Sequence, residues 1–178
     1  MPRSHYQFLE DDAAPYFITA TVINWLPLFS NPEIVQNLFD SLQYLIDNDS
    51  LRLHAWVILE NHLHLIAGAP QLSQALSRFK SFTARKSIDY YKERNNIFVL
   101  HQLAIHNGDN KPGRDYQFWQ EGVHPQRIKD SQMMTQKITY IHKNPVRRGY
   151  VDVPEDWRYS SARDYAGTPG LLPVDLEW

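Results

Sequence analysis

Two histidines separated by one leucine, His62-Leu63-His64, and a tyrosine followed four residues later by an amide, Tyr140 and Asn144, are the side chains best suited to chemistry here. On a strand, alternate side chains share a face, so His62 and His64 converge while Leu63 and Leu65 enter the opposite layer. Neutral imidazole is a good ligand for borderline divalent ions. On a helix, Tyr140 and Asn144 project from one flank, about 100° from the apolar stripe Met134, Ile138 and Ile141, so that flank can face a cleft. His142 points nearly opposite. Phenol, with a pKa of about 10, is a weak nucleophile and needs help. A cation on a phosphate oxygen would make the phosphorus more electrophilic and steady a departing 3′-oxygen. The combination suggests metal-assisted attack of a phenolate on a DNA phosphate, with Asn144 as a third ligand. The bland alternatives are a hydrogen-bonded histidine pair and a structural tyrosine, one of ten in the chain. Glu60, beside the pair, would add an oxygen ligand or sit exposed in a turn.

These residues need a sheet and a late helix to hold them. Tyr16 to Val22 alternates as a β-branched and aromatic strand. Asn31-Pro32-Glu33 opens a helix that continues through Ile34, Leu38, Leu42 and Leu45 and stops near Asn48. Leu51 to Leu59 and His62 to Ala67 read as a hairpin turning at Glu60-Asn61. A long helix follows from about Leu72 to Arg94, burying Leu72, Leu76, Phe79 and Phe82. Residues 107–115 are the clearest loop, and Phe118-Trp119-Gln120 is expected as a short strand. Ser131 is expected to cap the last long helix, which should end near Asn144 because Pro145 restricts the residue before it. The tail holds two short turn-rich elements. This order predicts an α+β fold of the split βαβ kind, with one antiparallel sheet and helices packed on it.

At 178 residues the chain is read as a single domain over residues 1–178, with a core from about 16 to 150 and a C-terminal extension over 151–178. With no cysteine, disulfides and cysteine-based zinc sites are excluded, and a reducing cytoplasmic setting is expected. Neither a signal peptide nor a membrane span is expected. The net charge of -2 conceals two basic stretches. Residues 78–94 carry Arg78, Lys80, Arg85, Lys86, Lys92 and Arg94 against Asp89 and Glu93. Residues 127–148 carry Arg127, Lys129, Lys137, Lys143, Arg147 and Arg148 against Asp130 alone. Phosphate binding depends on where positive charge clusters. Two solvated helix faces are the alternative.

The chain resembles the single-tyrosine HUH transposases, and within them the REP-associated tyrosine transposases. The resemblance runs from Tyr16 to about Tyr165. It rests on Asn61-His62-Leu63-His64-Leu65, Phe118-Trp119-Gln120, the block from Tyr140 to Val146, Arg148-Gly149-Tyr150-Val151, and Trp157 to Ser161. It implies a ferredoxin-like HUH fold, a Mg²⁺ or Mn²⁺ ion, and single-stranded or hairpin DNA with REP-like palindromes as substrate. By position, His62, His64 and Asn144 would be metal ligands and Tyr140 the nucleophile, forming a 5′-phosphotyrosine link and releasing a 3′-hydroxyl. One departure concerns Leu59-Glu60, where the family usually has Met-Pro; it brings a negative charge close to the expected phosphate.

Arg78, Lys80, Arg85 and Lys86, together with Lys143, Arg147 and Arg148, are the phosphate candidates. Trp119 is a candidate for stacking on an unpaired base, with a core role as the alternative. The functional expectation is a transposase or endonuclease that cleaves and rejoins hairpin-containing DNA, acting as a monomer or homodimer. A non-catalytic hairpin-binding module, a rolling-circle replication nickase and a plain zinc hydrolase are the competing readings.

Overall fold

Phe17, Thr19 and Thr21 alternate with Tyr16, Ile18 and Ala20, and this period of two builds the first strand, β1 (Tyr16–Thr21). The computed structural model describes residues 13–105, 115–121 and 125–178. Helix α1 (Pro32–Asp49) starts where Asn31 Oδ1 accepts the Glu33 N–H, and its C-cap residue, Ser50, is left-handed at φ 55°. β2 (Arg52–Ile58) and β3 (His62–Gly68) form the expected hairpin, closed by Leu59 N–H donating to His62 O at 2.9 Å. The long basic helix α2 (Leu72–Glu93) follows, then α3 (Ile97–Ile105), a two-residue β4 (Gln126–Arg127), α4 (Ser131–Arg147) and a short α5 (Ala162–Tyr165).

The four strands lie in the order β2-β3-β1-β4, each neighbour antiparallel. This is the α+β arrangement expected from the element order. One face of the sheet, with Ile18, Trp56, Leu63 and Leu65, packs under α1 and α2 through Leu38, Leu42, Leu76 and Phe79. The other, with Phe17, Ala55, Val57 and Ile66, packs under α4 through Met134, Ile138 and Ile141. His62 and His64 share the register of Ile66 and so belong to the α4 face.

Several local expectations are corrected. Phe118-Trp119-Gln120 contributes a single bridge, Val22 to Trp119, and the fourth strand is Gln126–Arg127. Phe82 is half-buried, and the buried stripe of α2 passes instead through Thr83 and Ser87. α4 is capped by Asp130, whose Oδ1 accepts the Met133 N–H at 2.7 Å, rather than by Ser131. Nor does it stop at Asn144. Pro145 lies in the final turn, and the helix ends one turn later, where Gly149 (φ 72°) lets its N–H reach Val146 O and the Tyr150 N–H reach Pro145 O. That paired closure needs a left-handed residue, which glycine supplies without strain. The loop expected over 107–115 lies, apart from Asp115, outside the described residues.

The segment after Gly149 lies along the outer edge of β2. Ile58 N–H donates to Tyr159 O, Ser161 N–H to Trp56 O and Asp175 N–H to Leu53 O, at 2.7–3.0 Å. Ser161 Oγ also accepts the Trp56 N–H at 2.9 Å. A strand edge that would present unpaired amides is thereby covered. Among the described residues no helix is long and apolar enough to cross a membrane.

Candidate catalytic site

The β1–β3 register sets Thr19 opposite His64 and Thr21 opposite His62. His64 Nδ1 lies 2.8 Å from Thr19 Oγ1. His62 Nδ1 lies 2.7 Å from Asn61 Oδ1, and the amide of Asn61 is oriented by its Nδ2 donating to Trp25 O at 3.2 Å. Asn61 Oδ1 can only accept, so His62 carries its proton on Nδ1 and leaves the Nε2 lone pair available. The Thr19 hydroxyl, which can donate or accept, orients the His64 ring without fixing its tautomer. Ring nitrogens held from behind by a hydroxyl and an amide are the arrangement that orients imidazole ligands toward a metal. Thr19 has no local signal in the sequence; only strand pairing reveals it.

The two imidazoles stand edge to face, 4.9 Å between centroids. Burial lowers His62 to about 4, helped by Arg148 and opposed by Glu60. Burial lowers His64 to about 3, with further contributions from His62, Arg148 and Lys137. Both rings are therefore neutral at physiological pH, the state a ligand requires.

α4 brings Tyr140 over this pair. Its ring packs edge-on against His64 at 5.3 Å and Phe17 at 5.9 Å, with the Arg147 guanidinium 5.2 Å from its centroid. It is 38% exposed, so it remains open to a large substrate. Asn144 is buried, because four residues turn it about 40° from Tyr140 toward the core stripe. His142 is separate, as its helical position implied: its Nε2 meets Ser161 Oγ at 2.9 Å and its ring abuts Tyr165. Among the described residues no group of three His, Asp or Glu side chains gathers at one point. Glu60 Oε1 accepts from Arg148 at 2.6 Å, while its Oε2 is buried without a hydrogen-bond partner.

The cation candidates divide. Lys143 and Arg147 are exposed on α4, flanking Tyr140. Arg148 is near them but engaged by Glu60. Arg78, Lys80, Arg85 and Lys86 sit on α2, across the sheet from the histidines and Tyr140. Arg78 pairs with Asp49 at 2.6 Å. Lys80 donates to Gln120 O, lies against the Trp119 ring, and is lowered to about 8 by burial. Arg85 and Lys86 flank the Phe82 ring. Trp119 is no stacking platform: it is buried, and its indole N–H donates to Lys80 O and Thr83 Oγ1 at 3.1 Å.

No protein-family model matches the chain. A solved structure of a REP-associated tyrosine transposase bound to a REP hairpin superposes with a TM-score of 0.66, covering 98% of this chain and 94% of that one at 20% identity. The fold is thus the four-stranded antiparallel α+β fold of that solved structure. In sequence, the chain is 27% identical over 124 residues to the REP-associated tyrosine transposase of Escherichia coli K12, covering 69% of this chain and 61% of that protein. A Haemophilus influenzae protein bearing the same family name is also 27% identical over 124 residues, covering 64% of this chain and 66% of the relative. The match therefore spans a little under two thirds of each relative's own length. The chain is similar, in sequence and in fold, to REP-associated tyrosine transposases.

Proposed function

We propose that this chain is a metal-dependent DNA transposase or endonuclease that cleaves and rejoins hairpin-containing single strands. The observation that carries the reading is the contact between the Tyr140 ring and His64, which joins a late helix to an oriented imidazole pair. In the proposed step, Tyr140 Oη gives up its proton to solvent and attacks the phosphorus. The tyrosyl O–P bond forms, the P–O3′ bond breaks, and the 3′-oxygen takes a proton to leave as a free hydroxyl. The 5′-phosphotyrosine so formed keeps the bond energy available for resealing.

His62 and His64 would hold a Mg²⁺ or Mn²⁺ ion through their Nε2 atoms, with Asn144 as the third protein ligand; Thr19 and Asn61 keep the rings aimed. Such an ion supplies Lewis-acid activation of the phosphate. Lys143 and Arg147 would position the DNA backbone. The solved relative's REP hairpin and the names of both sequence relatives support hairpin DNA as the substrate class.

Incubation with labelled hairpin oligonucleotide and Mn²⁺ tests the reading. A covalent protein–DNA adduct that survives denaturation and disappears in Tyr140→Phe is expected. Hairpin binding with no adduct across metals and pH would leave a non-catalytic binding module.

A further inference from the structure

Trp25 lies just beyond β1, and its indole stands out in solvent at 55% exposure. Its ring meets the His62 ring edge-on at 5.8 Å. His62 meets His64 at 4.9 Å, and His64 meets Tyr140 at 5.3 Å. The four rings form one row, with the histidines in the middle, Tyr140 at one end and Trp25 at the other.

This position is built rather than incidental. Asn24 and Trp25 are both left-handed, at φ 53° and 55°. That conformation costs a non-glycine residue about 1–2 kcal/mol, and a bulky aromatic rarely adopts it. The turn is pinned by Trp25 N–H to Val22 O at 3.1 Å and Ile23 N–H to Phe118 O at 2.8 Å. The Asn61 amide that orients His62 also donates to the backbone carbonyl of Trp25, so one side chain ties the Trp25 main chain to the imidazole. Strain that holds an apolar ring in water beside a reactive site calls for a ligand to cover it.

We infer that Trp25 is a nucleobase-stacking residue, holding an unpaired base of the DNA strand next to the phosphate engaged at the histidine pair. The chemistry favours a base over a protein surface. Trp25 is a single flat ring bordered by the polar Asn24 and Asn61, whereas protein hot spots sit at the centre of an apolar patch. Cations stand along the same row, Arg147 on the Tyr140 ring and Arg148 paired with Glu60, as a phosphate-linked ligand requires. This assignment rests on the functional reading above and gives Trp25 the role that buried Trp119 does not fill.

Fluorescence anisotropy with hairpins carrying short unpaired flanks, scanned by single abasic sites, tests it in the full chain. Trp25→Ala should weaken binding roughly 10- to 100-fold, while Trp25→Phe stays within a few-fold of the parent. One abasic position should reproduce the loss in the parent protein and add nothing to Trp25→Ala. Parent-like binding by Trp25→Ala overturns the assignment, as does a loss that no abasic position erases. Thermal melts of the Ala and Phe variants separate a folding defect from lost stacking. If the parent protein binds no hairpin at all, the functional reading falls with the inference; if it binds and Trp25→Ala changes nothing, only the inference falls.

Discussion

On the α2 side of the sheet, Arg78 holds Asp49 at 2.6 Å and Lys80 is half-buried against Trp119; on the α4 side, Lys143 and Arg147 stand exposed beside Tyr140. The two stretches look equally basic along the chain, yet much of the first is spent on internal contacts. A cation count therefore says little about phosphate binding until each cation's partner is known. The α4 face alone adds oriented imidazoles to its charge.

The sharpest way to break this contrast is at the chemistry. Tyr140→Phe should abolish the covalent DNA adduct while leaving hairpin affinity within a few-fold. His64→Ala should abolish metal-dependent cleavage with little change in affinity; equal loss of binding would put the histidines in the wrong role. Thr19→Val, which removes the hydroxyl behind His64, should lower apparent metal affinity by roughly 10- to 100-fold in a Mn²⁺ titration of cleavage. Next come the charges. Lys143→Ala with Arg147→Ala should flatten the dependence of log K on log salt by up to about 2, whereas Arg85→Ala with Lys86→Ala should leave the slope nearly unchanged. The reverse result would place the DNA on the α2 face.

Acid should also distinguish the two faces. Burial puts His62 at about 4, His64 at about 3 and His142 at about 4, all in or against α4. In the unfolded chain these rings titrate at about 6.5, so as pH falls the unfolded state binds protons first. The stability they contribute is complete above about pH 6.5 and declines as pH drops toward 4. Urea midpoints should fall between pH 7 and pH 5, and hydrogen exchange should loosen α4 before α2. A midpoint independent of pH over that range would contradict the neutral, buried state of the rings. The smallest effect expected is from Glu60→Gln, which frees Arg148 and should tighten hairpin binding a few-fold with a slightly steeper salt dependence.

Where the pattern was strong, the sequence alone was enough to place the elements. Alternation in β1, the turn at Glu60-Asn61 and the long amphipathic run of α2 were all legible, as was the shared face of His62 and His64. β4 is two residues long and carries no pattern. α3 is apolar almost throughout and has no polar face to give its sequence a helical period. Pro145 suggests a stop in the sequence, but a proline in the last turn of a helix removes only one hydrogen bond near its end, and Gly149 does the stopping. Composition does not tell a buried tryptophan such as Trp119 from an exposed one such as Trp25. The hold of Thr19 on His64 depends on strand register and has no trace in local sequence.

The covered border of β2 carries a consequence for how two copies of the molecule could meet. Tyr159, Ser161 and Asp175 already occupy four of its backbone groups, so a neighbouring chain could not extend the sheet there without first peeling away the tail. The opposite border offers only a two-residue rung, too little for a lasting seam. Among the described residues, a lasting pairing of subunits would therefore have to be made through helices and side chains.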